Sequence, residues 1–101
     1  MHYFVLDIGG SSIKYALMDE QAQFLDQGKV PTPVTSLEDL YQMIEDLMKG
    51  YDDVAGVGIS MPGIIDPEKG YAYTSGALGY YNDTYFARDL STRLGVPVTI
   101  G

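Results

Sequence analysis

The residues with the clearest chemical potential form a glycine-rich turn near the start of the chain. An apolar run ends at Asp7 and is followed by Gly9, Gly10, Ser11 and Ser12. Glycines adopt backbone angles closed to other residues, so the amides and hydroxyls of such a turn converge on an anion. Phosphate is the expected ligand. Asp7, at the end of the strand, is placed to hold Mg²⁺ through water. The turn therefore indicates a site for phosphate and magnesium.

A purely structural interpretation of the same turn stays open. Two glycines also make a hairpin, with Asp7 as its cap. Lys14 adds positive charge to the site only if its side chain reaches the same mouth. The segment after the turn, Ile13–Met18, has the period-two pattern of a strand, whereas Walker and dinucleotide-binding loops lead into a helix. Those two nucleotide-binding motifs are therefore excluded.

Composition narrows the class of protein. The 101 residues, 46% of them hydrophobic, fit one compact domain. The formal net charge of −8 repels nucleic-acid phosphates and anionic lipid, so we expect neither a nucleic-acid nor a membrane partner. Without cysteine there is neither a disulfide framework nor a thiolate metal site. No apolar stretch approaches the ~20 residues that cross a bilayer, and a cytoplasmic location is the simplest expectation.

Hydrophobic periodicity predicts an α/β domain. Tyr3–Ile8 is typical of a central strand buried on both faces, and Pro31 and Pro33 mark the end of an edge strand. Thr35 and Glu38 have capping-box spacing at the start of the first helix. The predicted elements are strands over 3–8, 13–18, 24–30, 54–61 and 96–100, a hairpin over 64–73, and helices that end before Gly50 and Gly95. Short links imply antiparallel neighbours and helical crossovers imply parallel ones, so we predict a mixed five-stranded sheet, three antiparallel strands and then parallel strands, with flanking helices.

Three segments together resemble a known family. They read DIGGSSIKY at 7–15, GVGISMPGIIDPEKG at 56–70 and SGALGYYNDTYFARDLSTRLGVPVTI at 75–100. In this order and spacing they are similar to the N-terminal motifs of the ROK sugar kinases and their repressor relatives, in the actin-like, ribonuclease-H-like phosphotransferase superfamily. The resemblance runs from Tyr3 to Gly101. It implies that residues 1–101 form the N-terminal ribonuclease-H-like (actin-like ATPase) domain of a ROK kinase, whose C-terminal domain is absent from this chain.

The resemblance assigns contacts with ATP phosphates and magnesium to the first segment. The candidate residues are Asp7, Gly9, Gly10, Ser11, Ser12 and Lys14. In the family the turn contacts ATP phosphates, and the acidic residue, here Asp7, lies near Mg²⁺. Members often have Thr at the position of Ser11 and Lys at the position of Ser12, so a charge usual in the turn is absent here. Whether Lys14 replaces it stays open.

The second and third segments match the family's sugar-binding loops. The candidate residues are Ser60, Pro62, Gly63, Gly76, Ala77 and Asn82. An amide suits a sugar because it donates and accepts hydrogen bonds at once. Two other interpretations stay open: Pro62 and Gly63 make a simple strand-ending turn, or Asn82, Asp83 or Thr84 caps the second helix. The tyrosines of this region are expected at ordinary surface and core positions.

The resemblance implies an ATP-dependent hexose kinase that transfers the γ-phosphoryl group to a hydroxyl of a hexose or N-acylhexosamine. The family's general base is an Asp in a Glu-Asn-Asp-Ala-like segment, expected just beyond Gly101. The resemblance therefore implies no catalytic base within residues 1–101 and no activity for this part alone. A structural Zn²⁺ site and the second wall of the cleft belong to the C-terminal half, which is an expected partner. The full-length protein is expected to be a homo-oligomer.

Two other functional classes stay open. A sugar-responsive transcriptional regulator, or a noncatalytic sugar sensor, would keep this domain. Such regulators carry a helix-turn-helix domain upstream, whereas here only the residues before Asp7 precede the phosphate motif, so the kinase is favoured. An actin-like assembly module would keep the nucleotide turn without needing the SGALGYYN loop. Sugar-dependent nucleotide consumption distinguishes the kinase from the assembly module.

Overall fold

The computed structural model describes all residues from Met1 to Gly101. The strands are β1 His2–Ile8, β2 Ser12–Met18, β3 Phe24–Pro31, β4 Val54–Ser60, β5 Ile65–Asp66, β6 Tyr71–Ala72 and β7 Val98–Ile100. The helices are α1 Leu37–Met48 and α2 Phe86–Leu94. Every predicted element is present, although β3 extends to Pro31 and β7 begins only at Val98. A proline without its N–H is tolerated in β3 because this strand lies at the sheet edge.

Five strands form the central sheet in the order β3-β2-β1-β4-β7, and β5 pairs with β6 in a separate hairpin. The pairs β1–β2 and β2–β3 are antiparallel, whereas β1–β4 and β4–β7 are parallel. Each parallel pair is connected through a helix, because a short turn cannot return the chain to the start of a parallel strand. This is the predicted mixed sheet of three antiparallel strands followed by parallel strands.

The hydrophobic core lies on one face of this sheet. Side chains alternate between the faces along a strand, and Phe4, Leu6 and Ile8 of β1 are at most 4% exposed. Both helices add their buried residues to this same core. On the opposite face, Val5 is half-buried and Tyr3 is 37% exposed. The prediction that β1 is buried on both faces is therefore wrong for this chain, because α1 and α2 cover only one of them.

The ends of the helices correct one prediction and confirm another. The cap of α1 is Ser36, whose Oγ accepts a hydrogen bond from the Asp39 N–H at 3.1 Å. The predicted Thr35–Glu38 capping box is therefore wrong by one position. Helix α2 follows Tyr85 and ends, as predicted, at Gly95, whose φ of 76° suits a glycine. Neither helix is long and apolar enough to span a lipid bilayer.

Candidate phosphate and sugar site

The ends of β1 and β4 bring two of the sequence motifs to one edge of the sheet. These strands are parallel neighbours, and Asp7 lies in register with Ser60. The carboxyl ends of adjacent parallel strands meet at one edge, which is where ligands bind in open α/β sheets. The glycine turn after β1 and the Pro62–Gly63 loop after β4 therefore leave the sheet side by side.

The turn between β1 and β2 is closed by a hydrogen bond and presents free backbone donors. The Gly9 N–H donates to the Ser12 C=O at 2.9 Å, and a Cβ on Gly9 would lie 3.0 Å from the same oxygen. Gly10 and Ser11 are exposed, and their N–H groups make no hydrogen bond within the chain. Neither Gly9 nor Gly10 has a positive φ, so the expectation that these glycines adopt backbone angles closed to other residues is wrong. Successive free N–H groups in a tight turn nonetheless offer hydrogen-bond donors to an anion. The turn is thus a hairpin that also offers the donors a phosphate needs.

Three charged residues lie in a row across the strands beside this turn. Asp7 on β1 is opposite Lys14 on β2, and Lys14 is opposite Lys29 on β3. Directly paired residues project from the same face, and all three are exposed. None of them forms an ion pair within the chain. The row offers a carboxylate for a metal ion and two ammonium groups for an anion. Lys29 was not singled out from the sequence, because strand register rather than spacing brings it to Lys14.

The loop after β4 packs against the loop after β6. Gly63 has a φ of 106°, and a Cβ there would lie 2.0 Å from the Thr74 carbonyl oxygen, so only glycine fits. Gly76 has a φ of 57°, and its Cβ position lies 3.4 Å from Pro62. The hydroxyl of the fully buried Tyr81 donates to the Pro62 C=O at 2.6 Å. The two segments with candidate sugar-binding residues therefore form one packed unit, here called the sugar loops (residues 60–64 and 74–82).

The side chain of Asn82 is fixed in one orientation within the sugar loops. Its Oδ1 accepts hydrogen bonds from the Ser75 N–H at 2.8 Å and from the Ser75 hydroxyl at 2.6 Å. A backbone N–H can bond only to an acceptor, so the amide oxygen faces the fully buried Ser75, and the Nδ2 group is the free end. Gly76 and Ala77 are also exposed, with N–H groups that have no partner in the chain. This part of the loops therefore presents hydrogen-bond donors.

The three polar residues before α2 do not cap this helix. The N-cap position is occupied by Tyr85, and no side chain bonds to the first turn. The Thr84 hydroxyl instead donates to the Asn82 C=O, and Asp83 has a φ of 52°, outside the extended geometry usual for a cap. The capping interpretation of Asn82, Asp83 and Thr84 is therefore wrong.

Tyr81 makes stability sensitive to alkaline pH. Burial, followed by the neighbouring Tyr80, raises the pKa of Tyr81 from 10.0 to about 12. Above pH 10 the Tyr81 phenol ionises in the unfolded state but stays protonated in the folded state. The stabilisation that Tyr81 contributes to folding is therefore full below pH 10 and is lost as pH rises through 12. We expect the free energy of unfolding in urea to fall by up to about 3 kcal/mol across this range from Tyr81 alone. Tyr81→Phe should make the decline shallower than the exposed control Tyr73→Phe does, and equal slopes would contradict this assignment.

Sequence comparison relates the chain to sugar kinases. The sequence profile of the ROK family matches residues 3–101. The chain is 35% identical over 97 residues to an N-acetyl-D-glucosamine kinase of Haemophilus influenzae (strain 86-028NP), covering 92% of this chain and 32% of the relative. It is 26% identical over 100 residues to a beta-glucoside kinase of Klebsiella pneumoniae, covering 99% of this chain and 34% of that relative. The chain spans about a third of the length of the curated relatives it matches.

Solved structures have the same fold. A ROK family glucokinase from Streptomyces griseus, in complex with glucose and AMPPNP, superposes with a TM-score of 0.86 at 25% identity over 99% of this chain and 32% of that one. A ROK family transcriptional regulator, a homolog of the E. coli MLC protein, superposes with a TM-score of 0.83 at 19% identity over 99% and 27%, a likeness of fold alone. The family profile covers nearly the whole chain, and the strand order of the chain is that of the predicted fold. The chain therefore belongs to the ROK family, with the fold of the actin-like ROK sugar kinases.

Proposed function

We propose that this chain is the N-terminal part of an ATP-dependent sugar kinase, which transfers the γ-phosphoryl group to a hydroxyl of a hexose or N-acylhexosamine. The observation that carries the proposal is the register of β1 with β4, which sets Asp7 and its turn beside Ser60 and the sugar loops. Catalysis of phosphoryl transfer depends mainly on positioning and electrostatic stabilisation. The free N–H donors of the turn would stabilise charge on the phosphates, and the free donors of the neighbouring sugar loops would position the sugar hydroxyls.

The residues at the end of β1 fit the phosphates of Mg-ATP. The free N–H groups of Gly10 and Ser11 would bind phosphate oxygens. Asp7, a carboxylate without an ion-pair partner, would hold Mg²⁺ through water. When bound, magnesium neutralises charge that develops on the transferred group. Lys14 and Lys29 supply further positive charge on the face of the sheet that carries Asp7.

The sugar loops fit the hydroxyl groups of a sugar. The Asn82 amide and the N–H groups of Gly76 and Ala77 would donate hydrogen bonds to sugar oxygens. Ser60, exposed at the end of β4, would offer a hydroxyl that both donates and accepts. The packing around Pro62–Gly63 holds these groups together. A hydroxyl held in line with the phosphoryl group gains the rate advantage of fixed orientation.

The proton of the attacking hydroxyl needs a general base, which contributes about 10²–10⁴-fold to the rate. We place this base in the residues that follow Gly101 in the full-length protein. The Gly101 N–H donates to the Ile59 C=O at 2.9 Å, and its C=O accepts from the Met61 N–H at 3.1 Å. A residue after Gly101 would therefore enter the edge of the sheet that carries Asp7. Residues 1–101 alone are then expected to show no turnover, since closure against the C-terminal domain completes the site and excludes water.

A sugar sensor is the second candidate function. It is favoured by Ser12, which stands where family members often carry a lysine, so the turn itself contains no cation. A sensor of this fold would bind sugar without consuming ATP. The full-length protein would release ADP from Mg-ATP in response to sugar if it is a kinase, and it would bind sugar without ADP release if it is a sensor.

Asn82→Asp tests the sugar contact while preserving the loop. The new carboxylate keeps an acceptor for Ser75 and replaces the free amide donor with an acceptor. In the full-length protein we expect the KM for the sugar to rise about 10–100-fold, with the KM for ATP and the urea midpoint unchanged. Gln21→Glu makes the same change of charge on an exposed turn and serves as the matched control. An unchanged sugar KM in Asn82→Asp would remove this residue from the site.

A further inference from the structure

We infer that Thr32 is a positioning residue for the glycine turn, an inference that rests on the proposed function. Thr32 follows β3 and is 6% exposed. Its hydroxyl donates to the Gly9 C=O at 2.8 Å, across 23 positions of sequence. Its N–H donates to the Ser11 C=O at 3.0 Å. One buried residue therefore binds two carbonyl groups of the turn that would bind phosphate.

The bond to Gly9 determines where a free donor of the turn points. The Gly9 C=O and the Gly10 N–H belong to one planar trans peptide and point in opposite directions. When the Gly9 carbonyl is held against Thr32, the Gly10 N–H is directed away from Thr32, to the exposed side. Two successive glycines leave this peptide otherwise free to rotate. Rotation would present a carbonyl oxygen to the phosphate, and that oxygen would repel it.

The segment that contains Thr32 is itself fixed at its next residue. The Tyr80 hydroxyl donates to the Pro33 C=O at 2.7 Å. The Tyr80 ring packs 5.9 Å from the ring of Tyr81, whose hydroxyl holds the Pro62 carbonyl. Thr32 therefore positions the glycine turn relative to the sugar loops. This keeps the phosphate donors and the sugar donors at a constant separation.

The test compares three variants of the full-length protein. Thr32→Val removes the hydroxyl and keeps the shape of the side chain, whereas Thr32→Ser restores a hydroxyl. Thr92→Val is the matched control, since it removes a hydroxyl bond to the Arg88 C=O on α2. Calorimetry gives the dissociation constants for Mg-AMPPNP, and separately for glucose and N-acetylglucosamine. We expect Thr32→Val to bind Mg-AMPPNP about tenfold more weakly, with sugar affinity unchanged and with nucleotide affinity recovered in Thr32→Ser.

The possible results separate this inference from the proposed function. Equal nucleotide affinity in wild type and Thr32→Val would overturn the inference and leave the kinase proposal intact. An equal loss of nucleotide and sugar affinity, or no recovery in Thr32→Ser, would also overturn it, because either result indicates general structural damage. If the wild-type protein does not bind Mg-AMPPNP, the proposed function fails and the inference fails with it. The measurement on the wild-type protein alone reveals that result, before any variant is compared.

Discussion

Replacing Asp7 with asparagine in the full-length protein is expected to lower kcat for sugar phosphorylation by about 10²–10³-fold. The amide keeps the size of the side chain and loses the charge that would hold Mg²⁺ at the end of β1. Asp7 is exposed and forms no ion pair in the chain, so folding does not depend on its charge. We therefore expect the urea midpoint and the affinity for sugar to stay at their wild-type values, while a coupled assay shows the loss of ADP formation.

Asp52→Asn is the matched control for this experiment. Asp52 is an exposed aspartate in the turn before β4, at the opposite end of the strand from Ser60. Its replacement removes the same charge and should leave kcat unchanged. Wild-type turnover in Asp7→Asn would contradict the role of Asp7 at the phosphate turn. A lower kcat accompanied by a matching fall in the urea midpoint would instead indicate a structural role.

Gly63→Ala is expected to lower the free energy of unfolding by about 3–5 kcal/mol. The new Cβ would lie 2.0 Å from the carbonyl oxygen of Thr74, a backbone atom that cannot move aside alone. The φ of 106° adds backbone strain for any residue other than glycine. Relief of the clash must separate the two sugar loops, so we also expect the affinity for sugar to fall. Urea unfolding of residues 1–101 measures the first effect, and calorimetry on the full-length protein measures the second.

Gly79→Ala separates strain from steric clash. Gly79 has a φ of 75°, but no heavy atom lies within 4 Å of its Cβ position. The substitution is therefore expected to lower the free energy of unfolding only by the strain of a left-handed backbone at alanine, about 1 kcal/mol. If Gly63→Ala costs no more than Gly79→Ala, the close packing of Gly63 against Thr74 does not exist in solution. That result would also remove the argument that the sugar loops form one unit.

The strand order could be predicted because the sequence displays its causes directly. Short links between the first three strands require antiparallel pairing, and helical crossovers require parallel pairing. The burial of β1 could not be predicted in this way. Tyr3 and Val5 are as apolar or aromatic as Phe4 and Leu6, but the helices pack on only one face. A continuous apolar run indicates a central strand without indicating how many of its faces are covered.

In the candidate site too, some residues could be predicted from the sequence and others could not. The glycine turn and the loop at Gly63 could be found because each is a contiguous motif with unusual residue types. Thr32 and Ser75, which bind the turn and Asn82, could not be found. A threonine and a serine have no distinctive local pattern, and their contacts arise only when separate segments pack together. Tertiary contacts of this kind fix the orientation of a site, whereas motifs only locate it.

Product identification tests most directly the central claim that this protein transfers phosphate from ATP to a sugar. The full-length protein is incubated with Mg-ATP and, separately, with glucose, fructose, mannose, N-acetylmannosamine and N-acetylglucosamine. Mass spectrometry then quantifies phosphorylated sugar and ADP. We predict that at least one of these sugars gains a phosphate in equal amount to the ADP formed. A folded protein that binds sugar and yields no sugar phosphate from any of them would contradict the account.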